Sequence, residues 1–177
     1  RSPSNLNTDE ELRIFKKFLP DVVVVVAYGQ IIPKNFLKIA KFGFINIHAS
    51  LLPKWRGAAP LQRSIMNQEK ETGISIMKIV EELDAGPICK TYNLEILENE
   101  NVESLSERLS LLAAKKILDD IDEILEDKAI FKSQEDLKAT YANKILKSEG
   151  KIDWSEPVKK IIGKINGLYP NSFFIYK

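Results

Sequence analysis

The chain has 177 residues, 44% of them hydrophobic and 29% charged, enough to bury one substantial core in a single domain or in one domain with a piece of another. Its net charge of +1 marks out neither a nucleic-acid binder nor a membrane-surface protein, although residues 138–177 hold eight lysines against Glu149, Asp153 and Glu156. One cysteine excludes an intrachain disulfide framework, and no apolar run approaches the ~18 residues of a membrane span.

The opening RSPSNLN has neither an initiating Met nor a signal-peptide pattern, so the natural protein is expected to begin elsewhere. Thr8 and Glu11 have capping-box spacing, and Leu12, Phe15 and Leu19 recur on one face of a first helix that ends at Pro20. Residues 22–27, VVVVVA, form a continuous β-branched run that fits a central parallel strand covered on both faces. Pro33 and Gly43 bracket a second helix containing Phe36, Leu37 and Ala40. The run FINIH that follows reads as a strand, residues 58–67 as a helix, GISIMKIV as a strand and ICKTYNLEI as another. Residues 102–126 form the longest helical pattern, striped by Leu105, Leu109, Leu112, Ala113, Leu118, Ile121 and Leu125.

Strands alternating with helices predict an α/β fold with a mostly parallel sheet and helices on both faces. The texture changes near Phe131, where a basic, patchy segment with one further helix signal at residues 155–166 begins. Residues 1–130 are therefore expected to form one domain. Residues 131–177 are expected to be a linker and the start of a second, incomplete domain.

Asn46 and His48 are two positions apart, so a strand places both side chains on one face. Asn offers two neutral N–H donors and His can donate or accept near neutral pH, so the pair suits oxyanion stabilisation with proton transfer. It equally suits a hydrogen-bonded histidine closing a strand. Asp84, on the Gly/Pro loop after the neighbouring strand, is expected at the same sheet end, where a carboxylate orients imidazole; Asp-x-Gly-Pro is also ordinary turn chemistry. A lone His and a lone Cys cannot assemble a Cys/His zinc cluster, no G-x-S-x-G elbow surrounds Ser50, and neither a Walker loop nor G-x-G-x-x-G occurs. Cys89 fits a small buried hydrophobe. A chemistry with no metal and no covalent nucleophile remains, and direct transfer of an activated one-carbon or acyl group to an amine is one that this set could provide for.

The stretch NIHASLLPKWRGAAPLQRSI, the loop ELDAGPI and the later TYANKI and KIDWS resemble the methionyl-tRNA formyltransferases, within the wider folate-dependent formyltransferase family. The resemblance implies a dinucleotide-fold sheet and transfer of a formyl group from 10-formyltetrahydrofolate to the amino group of methionyl initiator tRNA. Carried onto matching positions, it implies Asn46, His48 and Asp84 as the catalytic trio. It implies Ser50, Leu51, Leu52 and Pro53 along the tetrahydrofolate site, and Val26, Tyr28 and Ile31 on the loop that holds the pterin. Trp55 and Arg56 would contact the acceptor end of the tRNA, or else Trp55 packs its loop and Arg56 pairs with a carboxylate; Lys160 and Lys164 would face RNA backbone or water. Family members begin upstream and end in a small β-barrel, so the resemblance implies that residues 1–130 are a catalytic domain lacking its N-terminal part, and the first strand here is expected to leave an edge unpaired. A monomer at full length, in the bacterial cytoplasm or an organelle matrix, is implied as well. Other amine acceptors, such as a nucleotide precursor or a sugar amine, and a non-catalytic folate- or RNA-binding remnant stand as alternatives.

Overall fold

The computed structural model describes residues 3–176. Helix α1 (Asp9–Lys16) starts where the Thr8 hydroxyl accepts the Glu11 N–H at 3.2 Å, one half of the predicted capping box. Leu12 and Phe15 turn inward, whereas Leu19 falls beyond the helix in a left-handed conformation and is exposed. Strand β1 is only Val23–Val25, followed by the single-turn helix α2 (Lys34–Leu37) and strand β2 (Phe44–His48). Strand β3 (Arg56–Gly57), helix α3 (Pro60–Met66), strands β4 (Glu71–Lys78) and β5 (Ile88–Glu95) and helix α4 (Val102–Leu125) complete the main body. Strand β6 (Tyr141–Ala142) and helix α5 (Val158–Gly167) follow.

The main sheet has the order β1-β2-β4-β5. The α/β class holds, but the mostly parallel arrangement does not: only β1 and β2 run parallel in this sheet, while β2–β4 and β4–β5 are antiparallel. The reason lies in the connections. At seven residues, α3 is about 10 Å long and does not carry the chain back along the sheet, so β4 starts at the end where β2 finishes.

Alternation along β2 divides the core. Ile45 packs with Ile74, Ile76, Leu105, Leu109 and Ile124 on the α4 side, and Phe44 packs with Phe36 and Ala40 on the side of α1 and α2, so helices cover both faces. Among the described residues the valine run is not a doubly covered central strand. β1 lies at the sheet edge, as its unpaired outer side required, and Val24 and Val26, 43% and 59% exposed, alternate away from α1 and α2.

Contacts cross the boundary expected after residue 130. Phe131 joins the core, Lys132 bridges Ile88, β6 pairs parallel to β3, and α5 packs on α3. Glycines permit that approach: a Cβ on Gly163 would lie 2.9 Å from the Met66 carbonyl oxygen, and one on Gly167 would lie 2.7 Å from Met66 Cγ.

Candidate active site

Asn46 and His48 project from the Phe44 face of β2, pinned on either side by register partners, Val25 for Asn46 in β1 and Ser75 for His48 in β4. The Asn46 carboxamide is half-buried and has no hydrogen-bond partner among the described residues, so its two N–H donors are free. His48 is 6% exposed; its Nε2 lies 2.9 Å from the Trp55 carbonyl oxygen and its Nδ1 lies 3.7 Å from Asp84 Oδ2. A carbonyl oxygen only accepts, so Nε2 carries the hydrogen, and the neutral ring keeps its lone pair on Nδ1, facing the carboxylate.

Asp84 meets His48, but by a different route from the one expected. Because β4 is antiparallel to β2, it runs away from His48 and ends with Lys78 beside Ile45. The loop after β4 therefore folds back across the sheet face. Asp84 adopts φ +46°, its Oδ2 accepts the Gly57 N–H at 2.8 Å, and Gln134 Nε2 donates to the carbonyl oxygens of Asp84 and Gly86, each at 2.8 Å.

Ser50 is fully buried; its hydroxyl donates to the Lys54 carbonyl at 2.6 Å, while Ser75 Oγ donates to Ser50 O at 2.7 Å and accepts the Leu52 N–H at 3.1 Å. Both hydroxyls close the turn. Leu52 is buried too, whereas Leu51 and Pro53 border an open cleft of ≈ 770 Å³ with Trp55. Val26, Tyr28 and Ile31 are exposed just past β1, and the main chain of residues 28–32 makes no hydrogen bond within the described residues.

Arg56 is not a surface cation available to RNA. It is 3% exposed, its Nε and Nη2 donate to Gln134 Oε1 at 3.0 and 2.8 Å, and Nη2 also donates to Asp136 Oδ1 at 2.8 Å. The Trp55 atom engaged with the site is its carbonyl oxygen; its indole Nε1 is buried without a partner. Lys160 and Lys164 both pair with Glu156. Burial pushes the Cys89 thiol up to about 11, which disfavours the thiolate form that a nucleophile needs. Among the described residues no group of three or more His, Cys, Asp or Glu side chains could hold a metal ion, and no helix is long and apolar enough to cross a membrane.

Three contributors escape sequence reading. The Trp55 carbonyl and the Gly57 N–H are main-chain groups with no side-chain signature, and Gln134 stands 50 residues from Asp84 in a segment that reads as a linker.

A family model described as formyl transferase matches residues 1–121. The methionyl-tRNA formyltransferase of Pelagibacter ubique (strain HTCC1062) is 59% identical over 100% of the chain, which covers 58% of that relative's own length. Among solved structures, the methionyl-tRNA formyltransferase of Clostridium thermocellum has a TM-score of 0.77 at 24% identity, covering 99% of this chain and 74% of that one. A sugar N-formyltransferase from a Shewanella species has a TM-score of 0.81 at 22% identity, covering 97% of this chain and 71% of that one. The chain thus spans little more than half the length of the curated relative it matches, and the solved structures share its fold.

Proposed function

The chain belongs to the formyl transferase family, and on that premise we propose that it transfers a formyl group from 10-formyltetrahydrofolate to the amino group of methionyl initiator tRNA. The observation that carries this reading is an unpartnered carboxamide on the same strand face as a histidine whose basic nitrogen looks onto a carboxylate.

10-Formyltetrahydrofolate supplies the activated formyl group, and the residues present fit such a donor. Exposed Val26, Tyr28 and Ile31 offer an apolar rim, and the free main-chain groups of residues 28–32 offer hydrogen bonds to the edge of a flat polar ring. Leu51 and Pro53 border a different open cleft, which Val26, Tyr28 and Ile31 do not line.

As the acceptor amine attacks the formyl carbon, Asn46 Nδ2 donates to the formyl oxygen, where negative charge develops. Nδ1 of His48 takes the proton that the amine sheds and returns it to the donor nitrogen as the old carbon–nitrogen bond breaks. Between those steps Asp84 stabilises the imidazolium, whose charge adds to the Asn46 hydrogen bond in holding the oxyanion. The Trp55 carbonyl fixes which ring nitrogen does this work.

The test is formyl transfer to methionyl initiator tRNA, measured against methionyl elongator tRNA, an aminosugar nucleotide and an amino nucleotide precursor. Product on the initiator tRNA alone is expected. Preferential formylation of a sugar or nucleotide amine would reassign the acceptor. Folate binding with no turnover on any acceptor would make the chain a binding module.

A further inference from the structure

We propose that Gln134 is a positioning residue of the catalytic centre: by clamping the Asp84 loop to the buried Arg56 it sets the carboxylate against His48. Residues beyond the family match at 1–121 are thereby part of the site. The proposal rests on the function just described but is testable without turnover.

The Gln134 carboxamide is fully used. Both of its N–H donors go to carbonyls of the Asp84 loop, and its oxygen accepts two N–H groups of Arg56. Arg56 stands between the two residues whose main chain holds the dyad, since Trp55 O takes the His48 hydrogen bond and the Gly57 N–H binds Asp84. That strand is fixed in turn from the later segment: Thr140 O accepts the Arg56 N–H at 2.8 Å and Thr140 Oγ1 accepts the Trp55 N–H at 2.9 Å.

The loop needs such a restraint. It leaves β4 away from His48 and carries a non-glycine residue, Asp84, at φ +46°, a conformation that persists only where surrounding contacts over-determine it. Gln134 supplies two of those contacts from a segment remote in sequence.

Gln134→Glu separates the two halves of the clamp. Its carboxylate still accepts from Arg56 but turns acceptors toward the carbonyls of Asp84 and Gly86, which releases the loop while leaving the fold in place. The chain has a single histidine, so the imidazole ring resonances report on His48 without ambiguity. In folded Gln134→Glu we expect those resonances to move as they do in Asp84→Asn, with no further movement in the double variant. Turnover should fall by about 10², with little change in KM for the donor, as for a small displacement of a catalytic group.

Unmoved His48 resonances in a folded Gln134→Glu protein, or additive movements in the double variant, would overturn the proposal. If Gln134→Glu does not fold, Gln134→Met carries the same comparison. Failure of both to fold would overturn it as well, by making Gln134 a determinant of folding rather than of position. Should the unsubstituted chain transfer no formyl group, the functional reading falls while the resonance comparison still decides the clamp.

Discussion

Asp120 is a carboxylate in the wrong place for stability. It lies on the inward face of α4, 2% exposed, where the Tyr92 hydroxyl donates to Oδ1 at 2.7 Å and Oδ2 has no partner. Lys90 does not neutralise it directly, being paired with Glu123 at 2.9 Å. Burial pushes the Asp120 carboxyl above its ordinary value of 3.8, against the opposing effects of the Tyr92 hydrogen bond and the Lys90 charge. A raised folded value means that this group's contribution to stability is present in full below the unfolded value and is lost as pH rises through the folded one. Asp120→Asn keeps the shape and the acceptor for Tyr92 but removes the charge, so it should gain about 1–2 kcal/mol near neutral pH, the excess cost of a buried charge over a buried neutral amide. For a chain of this size that is roughly 2–8 °C in Tm. Urea unfolding at a series of pH values reads the difference directly. The gain should be absent at about pH 3, where both side chains are neutral, and should grow to a plateau as pH rises. A destabilised variant near neutral pH, or a gain of equal size at every pH, would refute the account.

Asn46→Ala should lower turnover by about 10²–10³ with a smaller change in donor affinity, read by single-turnover kinetics beside a folate-analogue titration; lost binding with unchanged turnover of bound donor would remove Asn46 from the oxyanion role. Gly57→Ala puts a side chain at φ +116° with its Cβ 2.9 Å from the Ala142 carbonyl oxygen, and should cost about 1–3 kcal/mol in a thermal or urea melt. An unchanged melt would mean that the β3–β6 contact yields easily. Hydrogen bonds from Arg63, at 2.6 and 3.0 Å, hold the Glu149 carboxyl below its ordinary value of 4.5, so its contribution is present above that value and lost as pH falls through the lowered one. Glu149→Gln should therefore lose stability near neutral pH and converge on the parent in acid, as followed by urea unfolding.

Much of α4 was legible as periodicity, yet the stripe drifts in its second half. Leu118 and Leu125 point outward while Ile117 and Ile124 pack inward, because a regular helix continues the row of Leu105, Leu109 and Ala113 through Ile117 and on to Asp120 and Ile124. Hydrophobicity alone favoured Leu118 and hid the buried Asp120.

Local chemistry by itself determined the existence of most elements, the N-cap at Thr8 and the placement of Asn46 and His48 on one strand face, since each depends on neighbours a few residues away. The direction of β4 relative to β2, the return of the Asp84 loop, the burial of Arg56 and the arrival of Gln134 at the site were decided only by the tertiary structure. These depend on how far a seven-residue helix carries the chain, and on main-chain groups and residues 50 or more positions apart meeting in one place, which no local pattern encodes.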